Sequence, residues 1–221
     1  MNEKIYTIPV NESFDRYEGC PVCHLHDTQE SNELDIMLGG AMMEPDIRIQ
    51  TNKLGFCGDH LQKLYDKGNR LSLALILQTH LTELTDKCFK KKGSLRGDAS
   101  TLDEMVNSCY ICNRLDRNMN NFFATIFYLY RAEPEFREKL QKQPYFCLHH
   151  YTELLNRAPK SLHKKEIDDF FTDLKGVEKA YVEKLNEDID WFCKKFDYRF
   201  KDEDWKDSKD AVERVVKFLT D

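Results

Sequence analysis

The sequence predicts an all-α protein, and three observations predict it. Glycine and proline together supply only 15 of 221 residues, about 7% of the chain against roughly 12% in average usage. Leucine outnumbers the β-branched apolar residues, with 24 Leu against 10 Ile and 8 Val, and leucine packs well on helices where β-branched residues favour strands. Apolar residues also recur at i, i+3 and i+4 along most of the chain, the period of an amphipathic helix. Few turn-formers argue against a sandwich or barrel.

The elements follow in order. A helix is expected from Thr28 to Met43, after Cys20-Pro21-Val22-Cys23. Pro45 suits the first turn of a short helix, where a missing N–H costs nothing. Cys57-Gly-Asp-His60 then opens a helix carrying Leu61, Leu64 and Tyr65, and a long helix from Asn69 to Lys91 carries Leu71, Leu75, Leu81, Leu84 and Cys88. Residues 93–100, Gly-Ser-Leu-Arg-Gly-Asp-Ala-Ser, read as a linker. From Arg114 to Arg131 a helix aligns Leu115, Met119, Phe122, Phe123, Ile126 and Tyr130 on one stripe. Pro134 starts another short helix, and Cys147-Leu-His-His150 opens one carrying Tyr151, Leu154 and Leu155. A helix from Ser161 to Phe200 follows, with a kink or break expected at Gly176. A last helix, Lys209 to Leu219, presents Val212, Val215, Val216 and Leu219.

Charge narrows the function classes. The net charge is −6, against a general nucleic-acid binder, since phosphate contacts need a basic face. The basic clusters Lys90-Lys91-Lys92 and Lys164-Lys165 sit beside acidic stretches and read as solvated surface. No apolar leader opens the chain and no apolar run approaches the ~18 residues of a membrane span. A cytoplasmic protein is expected, and in a reducing compartment eight cysteines point to metal or redox chemistry before disulfides.

The cysteines reveal an internal repeat. Cys20 to Cys57 spans 37 positions and Cys109 to Cys147 spans 38. In each copy a Glu-Pro pair, Glu44-Pro45 or Glu133-Pro134, begins 24 positions after the first cysteine, and an aromatic, Phe56 or Phe146, precedes the third. A duplicated module of about 90 residues is the economical reading. It divides the chain into a first module (1–92), the linker (93–100) and a second module with the C-terminal helices (101–221).

Each copy joins Cys-x-x-Cys to Cys-x-x-His, three thiolates and an imidazole, the closed tetrahedral set of structural Zn²⁺. Two residues between cysteines let a knuckle aim both sulfurs at one ion. The i, i+3 pair puts the other two ligands on one face of a helix start, where the dipole favours thiolates. Iron suits a sulfur-rich site, but the histidines favour zinc. Cys20-Pro-Val-Cys23-His24 matches c-type haem attachment, yet the second copy has Asn113 where a histidine is needed. A thioredoxin-like dithiol lacks its βαβ context. Cys88 and Cys193 read as buried small hydrophobes, and His149, His24, His26, His80 and His163 as bystanders.

Pairing remains to be assigned. Closing Cys20 onto Cys147 spans 127 positions, and the longer loop costs only about 1 kcal/mol more than the local one. The repeat therefore decides. A module that arose by duplication first bound its own metal, which groups Cys20, Cys23, Cys57 and His60 around one zinc and Cys109, Cys112, Cys147 and His150 around the other.

No nucleophile elbow, phosphate-cradling loop or His-Glu-x-x-His motif is present. The opening Ile8-Pro9-Val10-Asn11-Glu12-Ser13-Phe14, the Gly19-Cys20-Pro21-Val22-Cys23 knuckle and Gly55-Phe56-Cys57-x-x-His60 resemble a bacterial family of uncharacterised proteins, a domain of unknown function. The resemblance implies a bacterial cytosolic protein with metal sites and implies no activity. The expected function is a non-enzymatic interaction scaffold or adaptor with two structural zincs and an unidentified protein partner. The alternatives are a regulator acting through zinc-thiolate oxidation, or a ligand binder or enzyme with a pocket between helices. The long C-terminal helix suits an intramolecular hairpin or a homodimer.

Overall fold

The computed structural model describes residues 3–89 and 95–220. Among them lie eleven α-helices and no strand: α1 (Glu3–Phe14), α2 (Pro21–Leu38), α3 (Pro45–Leu54), α4 (Gly58–Asp66), α5 (Arg70–Leu84), α6 (Leu95–Val106), α7 (Tyr110–Ala132), α8 (Pro134–Gln141), α9 (Leu148–Ser161), α10 (Lys164–Lys194) and α11 (Ala211–Thr220). The all-α expectation holds. Pro45 and Pro134 sit in the first turn of their helices, as their fixed φ favours.

The chain divides into two compact units, residues 1–26 with 120–221, and residues 27–119. These are not the sequence-contiguous modules 1–92 and 101–221. The boundaries fall inside α2 and α7, which each contribute residues to both units.

In the discontinuous unit, α1 is an element for which the sequence offered no assignment. It buries Val10, Ser13 and Phe14. Phe14 packs on Phe136 of α8 with ring centroids 4.8 Å apart, and on Phe146 at 6.3 Å. Lys139 of α8 donates to Asn11 and to Asp15, and Gln143 donates to the Phe14 carbonyl at 2.7 Å. Fully burying a Phe contributes about 1.5–3 kcal/mol, so this short helix, with Pro9 inside it, is held by packing more than by propensity. Helix α10 packs on α8, α9 and α11. It runs unbroken through Gly176, where a kink or break was expected. Its Phe170 meets Phe127 and Tyr130 edge-on, and Tyr181 stacks on Tyr145 at 4.1 Å.

In the continuous unit, Leu34, Met37 and Leu38 of α2 pack with Leu64, Leu73, Ile76, Ile111 and Leu115. Buried Glu33 accepts two bonds from Arg114, at 2.8 and 3.0 Å, which offsets the cost of hiding a carboxylate. Arg48 ties α3 to α5 through the Leu75 carbonyl and Thr79.

Several local expectations are corrected. Residues 95–100, placed in a linker, begin α6; residues 90–94, with Lys90-Lys91-Lys92, lie outside the described residues. Leu71 and Leu81 are exposed, because α5 is apolar nearly all round and buries Ser72, Leu73 and Ile76 instead. Tyr65, Val212, Val216 and Leu219 are likewise exposed. Cys88 is buried, but Cys193 is exposed. Among the described residues no helix is long and apolar enough to cross a membrane.

Candidate metal centres

All eight ligands named from the sequence gather in two groups, but not in the groups expected. Cys20 and Cys23 stand with Cys147 and His150, and Cys57 and His60 stand with Cys109 and Cys112. Each centre joins the Cys-x-x-Cys of one half of the sequence to the Cys-x-x-His of the other. The local pairing is thus corrected. In the second centre the reason is a backbone junction: Tyr110 N–H donates to the Gly55 carbonyl at 2.9 Å, and Ser108 Oγ donates to the Leu54 carbonyl at 2.7 Å. These bonds lay residues 108–110 against 54–57. Gly55 makes the approach at φ 61, where a Cβ would stand 3.0 Å from His80.

At the first centre, Ser13 Oγ donates to the Pro21 carbonyl at 2.6 Å. Gly19, at φ 67, turns the chain just before Cys20, and a Cβ there would meet only the Tyr145 hydroxyl at 3.8 Å. Both knuckles open helices, α2 and α7. Cys57 and Cys147 occupy the N-caps of α4 and α9, so His60 and His150 fall in the first turn on the same face. The Cys147 sulfur accepts from the His150 backbone N–H at 3.5 Å, capping the helix where its dipole favours negative charge.

The distances approach those of a tetrahedral ion, most of them a few tenths of an ångström short. With Zn–S of about 2.3 Å and Zn–N near 2.0 Å, tetrahedron edges come to about 3.5–3.8 Å. In the first centre His150 Nδ1 lies 3.1 Å from Cys147, 3.2 Å from Cys23 and 3.8 Å from Cys20, and Cys23 and Cys147 are 3.4 Å apart. In the second, His60 Nδ1 lies 3.1 Å from Cys57 and 3.3 Å from both Cys109 and Cys112, and Cys57 and Cys112 are 3.9 Å apart. In both, the ligand atoms lie within 4.8 Å of one another.

Electrostatics point the same way. Burial and the neighbouring Cys147 push the Cys20 thiol up to about 12. Burial and Cys109 push Cys112 up to about 12 as well. Hydrogen bonds that Cys23 donates to Cys147 and Cys20 send its thiol upward, while Cys147, accepting from Cys20, Cys23 and His150, is held far below the ordinary thiol range. In the first centre Cys147 thus holds the negative charge while Cys20 and Cys23 keep their protons, which a bound cation would displace. Burial lowers His60, which keeps its imidazole neutral, the ligating form.

Sequence reasoning missed four neighbours of these candidate ligands. Glu30 accepts from His60 Nε2 at 3.2 Å and pairs with Lys63 at 2.6 Å. Tyr110 and Gly55 make the junction described above. Glu178 accepts from the Phe146 backbone N–H at 3.2 Å, one residue before Cys147, and burial pushes its carboxyl up to about 7. No spacing signal marks them, because each comes from a different helix or turn. Of the bystanders, His149 stands outside both groups, His80 bonds the Asn52 carbonyl at 3.1 Å and His24 lies 3.0 Å from Arg16. A groove of about 370 Å³ between α7 and α9 is lined by Phe123, Phe127, Arg157 and Lys160 among others. Its Arg157 is engaged by Glu153 at 2.5 Å and by Asn120 at 2.7 Å.

Fold and site define an all-helical protein with two Cys₃His groups able to hold metal ions. The chain belongs to a family of unknown function, DUF6062, whose model matches residues 1–221. No curated protein and no solved structure matches the chain.

Proposed function

We propose that the protein binds two zinc ions and serves, without catalysis, as a helical scaffold or adaptor for a protein partner. The observation that carries this reading is the closed donor set. Each centre offers three sulfurs and one imidazole nitrogen, the ligand chemistry zinc prefers, with four protein donors and so no coordination position for water or substrate. Bound zinc would be held by Cys20, Cys23, Cys147 and His150, and by Cys57, His60, Cys109 and Cys112. It would supply folding free energy in place of reaction chemistry. Eight unbridged cysteines support a reducing, cytoplasmic setting. Elemental analysis of the purified chain tests the reading: about two zinc ions per chain are expected, and their removal lowers helicity and the melting temperature. A folded chain that neither carries nor takes up zinc overturns it.

A second reading has its own support. Cys57 and Cys112, both half-buried, lie 3.9 Å apart. One peroxide takes two electrons from two such thiolates, forming one disulfide and, with two protons, two waters, and the ion is released. Zinc release at stoichiometric peroxide favours this regulator over the purely structural role.

A further inference from the structure

The two centres share a ligand set but not their surroundings. In the second, His60 turns Nδ1 to the three sulfurs and Nε2 to Glu30 Oε1 at 3.2 Å. Glu30 is in turn fixed by Lys63, one turn further along α4, through bonds of 2.7 and 2.6 Å. A carboxylate on the far nitrogen fixes the Nε2–H tautomer, orients the ring and makes Nδ1 a better donor. Around His150 the structure places rings, Phe123 at 6.4 Å and His149 at 5.2 Å, and among the described residues no carboxylate bonds to this imidazole.

The sequence register repeats the contrast. Ten positions after the first knuckle cysteine stands Glu30 in one copy and Met119 in the other. Three positions after the histidine stands Lys63 in one and Glu153 in the other. A further difference lies in the backbone. Tyr110 N–H, just after the first knuckle cysteine, bonds Gly55 and joins the two halves of the second centre. The corresponding residue at the first centre is Pro21, which has no N–H to give.

We propose that Glu30 is a positioning residue that makes the His60 centre the tighter of the two, so that metal leaves the His150 centre first. This rests on the two-metal reading above. The backbone junction acts in the same direction, because it holds the two half-sites together before any ion arrives. Loss of the weaker ion frees Cys20 and Cys23 from Cys147 and His150, and with them the cross-link between residues 20–23 and 147–150 that helps seat α1 against α8.

The test is equilibrium competition on the zinc-loaded full chain with a chelator, approached from both loading and stripping so that thiol accessibility does not enter. Alkylation and mass spectrometry identify which cysteines are freed. Cys20, Cys23 and Cys147 should be freed at a chelator concentration at least tenfold below that needed for Cys57, Cys109 and Cys112. Glu30→Ala should lower the second threshold tenfold or more and leave the first unchanged, Glu30→Gln should restore part of it, and ¹⁵N spectra of the loaded wild type should show His60 protonated at Nε2. Simultaneous release, release in the opposite order, or an unmoved second threshold in Glu30→Ala overturns the inference while leaving the two-metal reading intact. A chain that takes up no metal defeats that reading and this one together.

Discussion

The sulfur atoms of Cys23 and Cys147 lie 3.4 Å apart, although 124 positions separate them in the chain. That contact makes the first centre a long-range cross-link between residues near the start of the chain and residues in its second half. The second centre spans less chain, with Cys57 and Cys112 separated by 55 positions. A metal held in either group would accordingly be coupled to tertiary structure, since neither Cys-x-x-His meets its knuckle until the intervening helices are in place.

Removing the Phe14 ring should cost about 3–5 kcal/mol, the range for emptying a buried aromatic site. Its ring is fully buried against Phe136 and Phe146. Denaturant unfolding of zinc-loaded Phe14→Ala checks this, and a loss below 1 kcal/mol would remove α1 from the account of the core.

At Gly55 the chain needs a left-handed φ of 61 and leaves a Cβ only 3.0 Å from His80. Gly55→Ala should therefore destabilise by about 1–3 kcal/mol from backbone strain alone, and should loosen the second centre more than the first. Metal competition on the variant reads both effects. Gly58→Ala, where a Cβ meets nothing within 4 Å, is the matched control.

Glu178 sets a pH dependence. Its carboxyl is raised from 4.5 to about 7 by burial, so the folded chain holds a proton that the unfolded chain has lost. The resulting cost is absent below pH 4.5, grows as pH rises toward 7 and is constant above it. Glu178→Gln keeps an acceptor for the Phe146 N–H and has nothing to ionise. Its melting temperature relative to wild type should rise between pH 5 and pH 8 in zinc-saturated buffer, and a flat or falling difference contradicts the assignment.

Cys193 is the exposed thiol of α10, and in the loaded protein it should react first with a thiol reagent. Cys193→Ser should abolish that fast phase without changing metal content or stability by more than about 0.5 kcal/mol. Fast labelling at Cys88, which is buried, would show instead that the turn after α5 opens readily.

The candidate ligands were legible in the sequence and their grouping was not, for physical reasons. Cys-x-x-Cys and Cys-x-x-His are local devices, so spacing alone identifies Cys20, Cys23, Cys57, His60, Cys109, Cys112, Cys147 and His150. Which halves meet depends on the Tyr110–Gly55 and Ser108–Leu54 bonds, which no spacing encodes, and loop entropy separates the alternatives by only about 1 kcal/mol. The resemblance in spacing between the two halves fits either arrangement. Helix existence was equally legible, because Pro45, Pro134 and the i, i+3 stripes mark it locally. The buried face of α5 was not, since Leu71, Leu73, Leu75 and Leu77 circle the helix and only packing chooses among them.

Paired substitutions in the full chain test the crossed grouping most directly. Cys20 and Cys147 share one centre, whereas Cys20 and Cys57 belong to different ones. With crossed centres, Cys20→Ser/Cys147→Ser should retain about one zinc per chain, held by Cys57, His60, Cys109 and Cys112. Cys20→Ser/Cys57→Ser should bind neither ion tightly, because each centre then lacks a thiolate and a hydroxyl replaces it poorly. The reverse stoichiometry, one zinc in Cys20→Ser/Cys57→Ser and none in Cys20→Ser/Cys147→Ser, would contradict the crossed centres and restore the local ones.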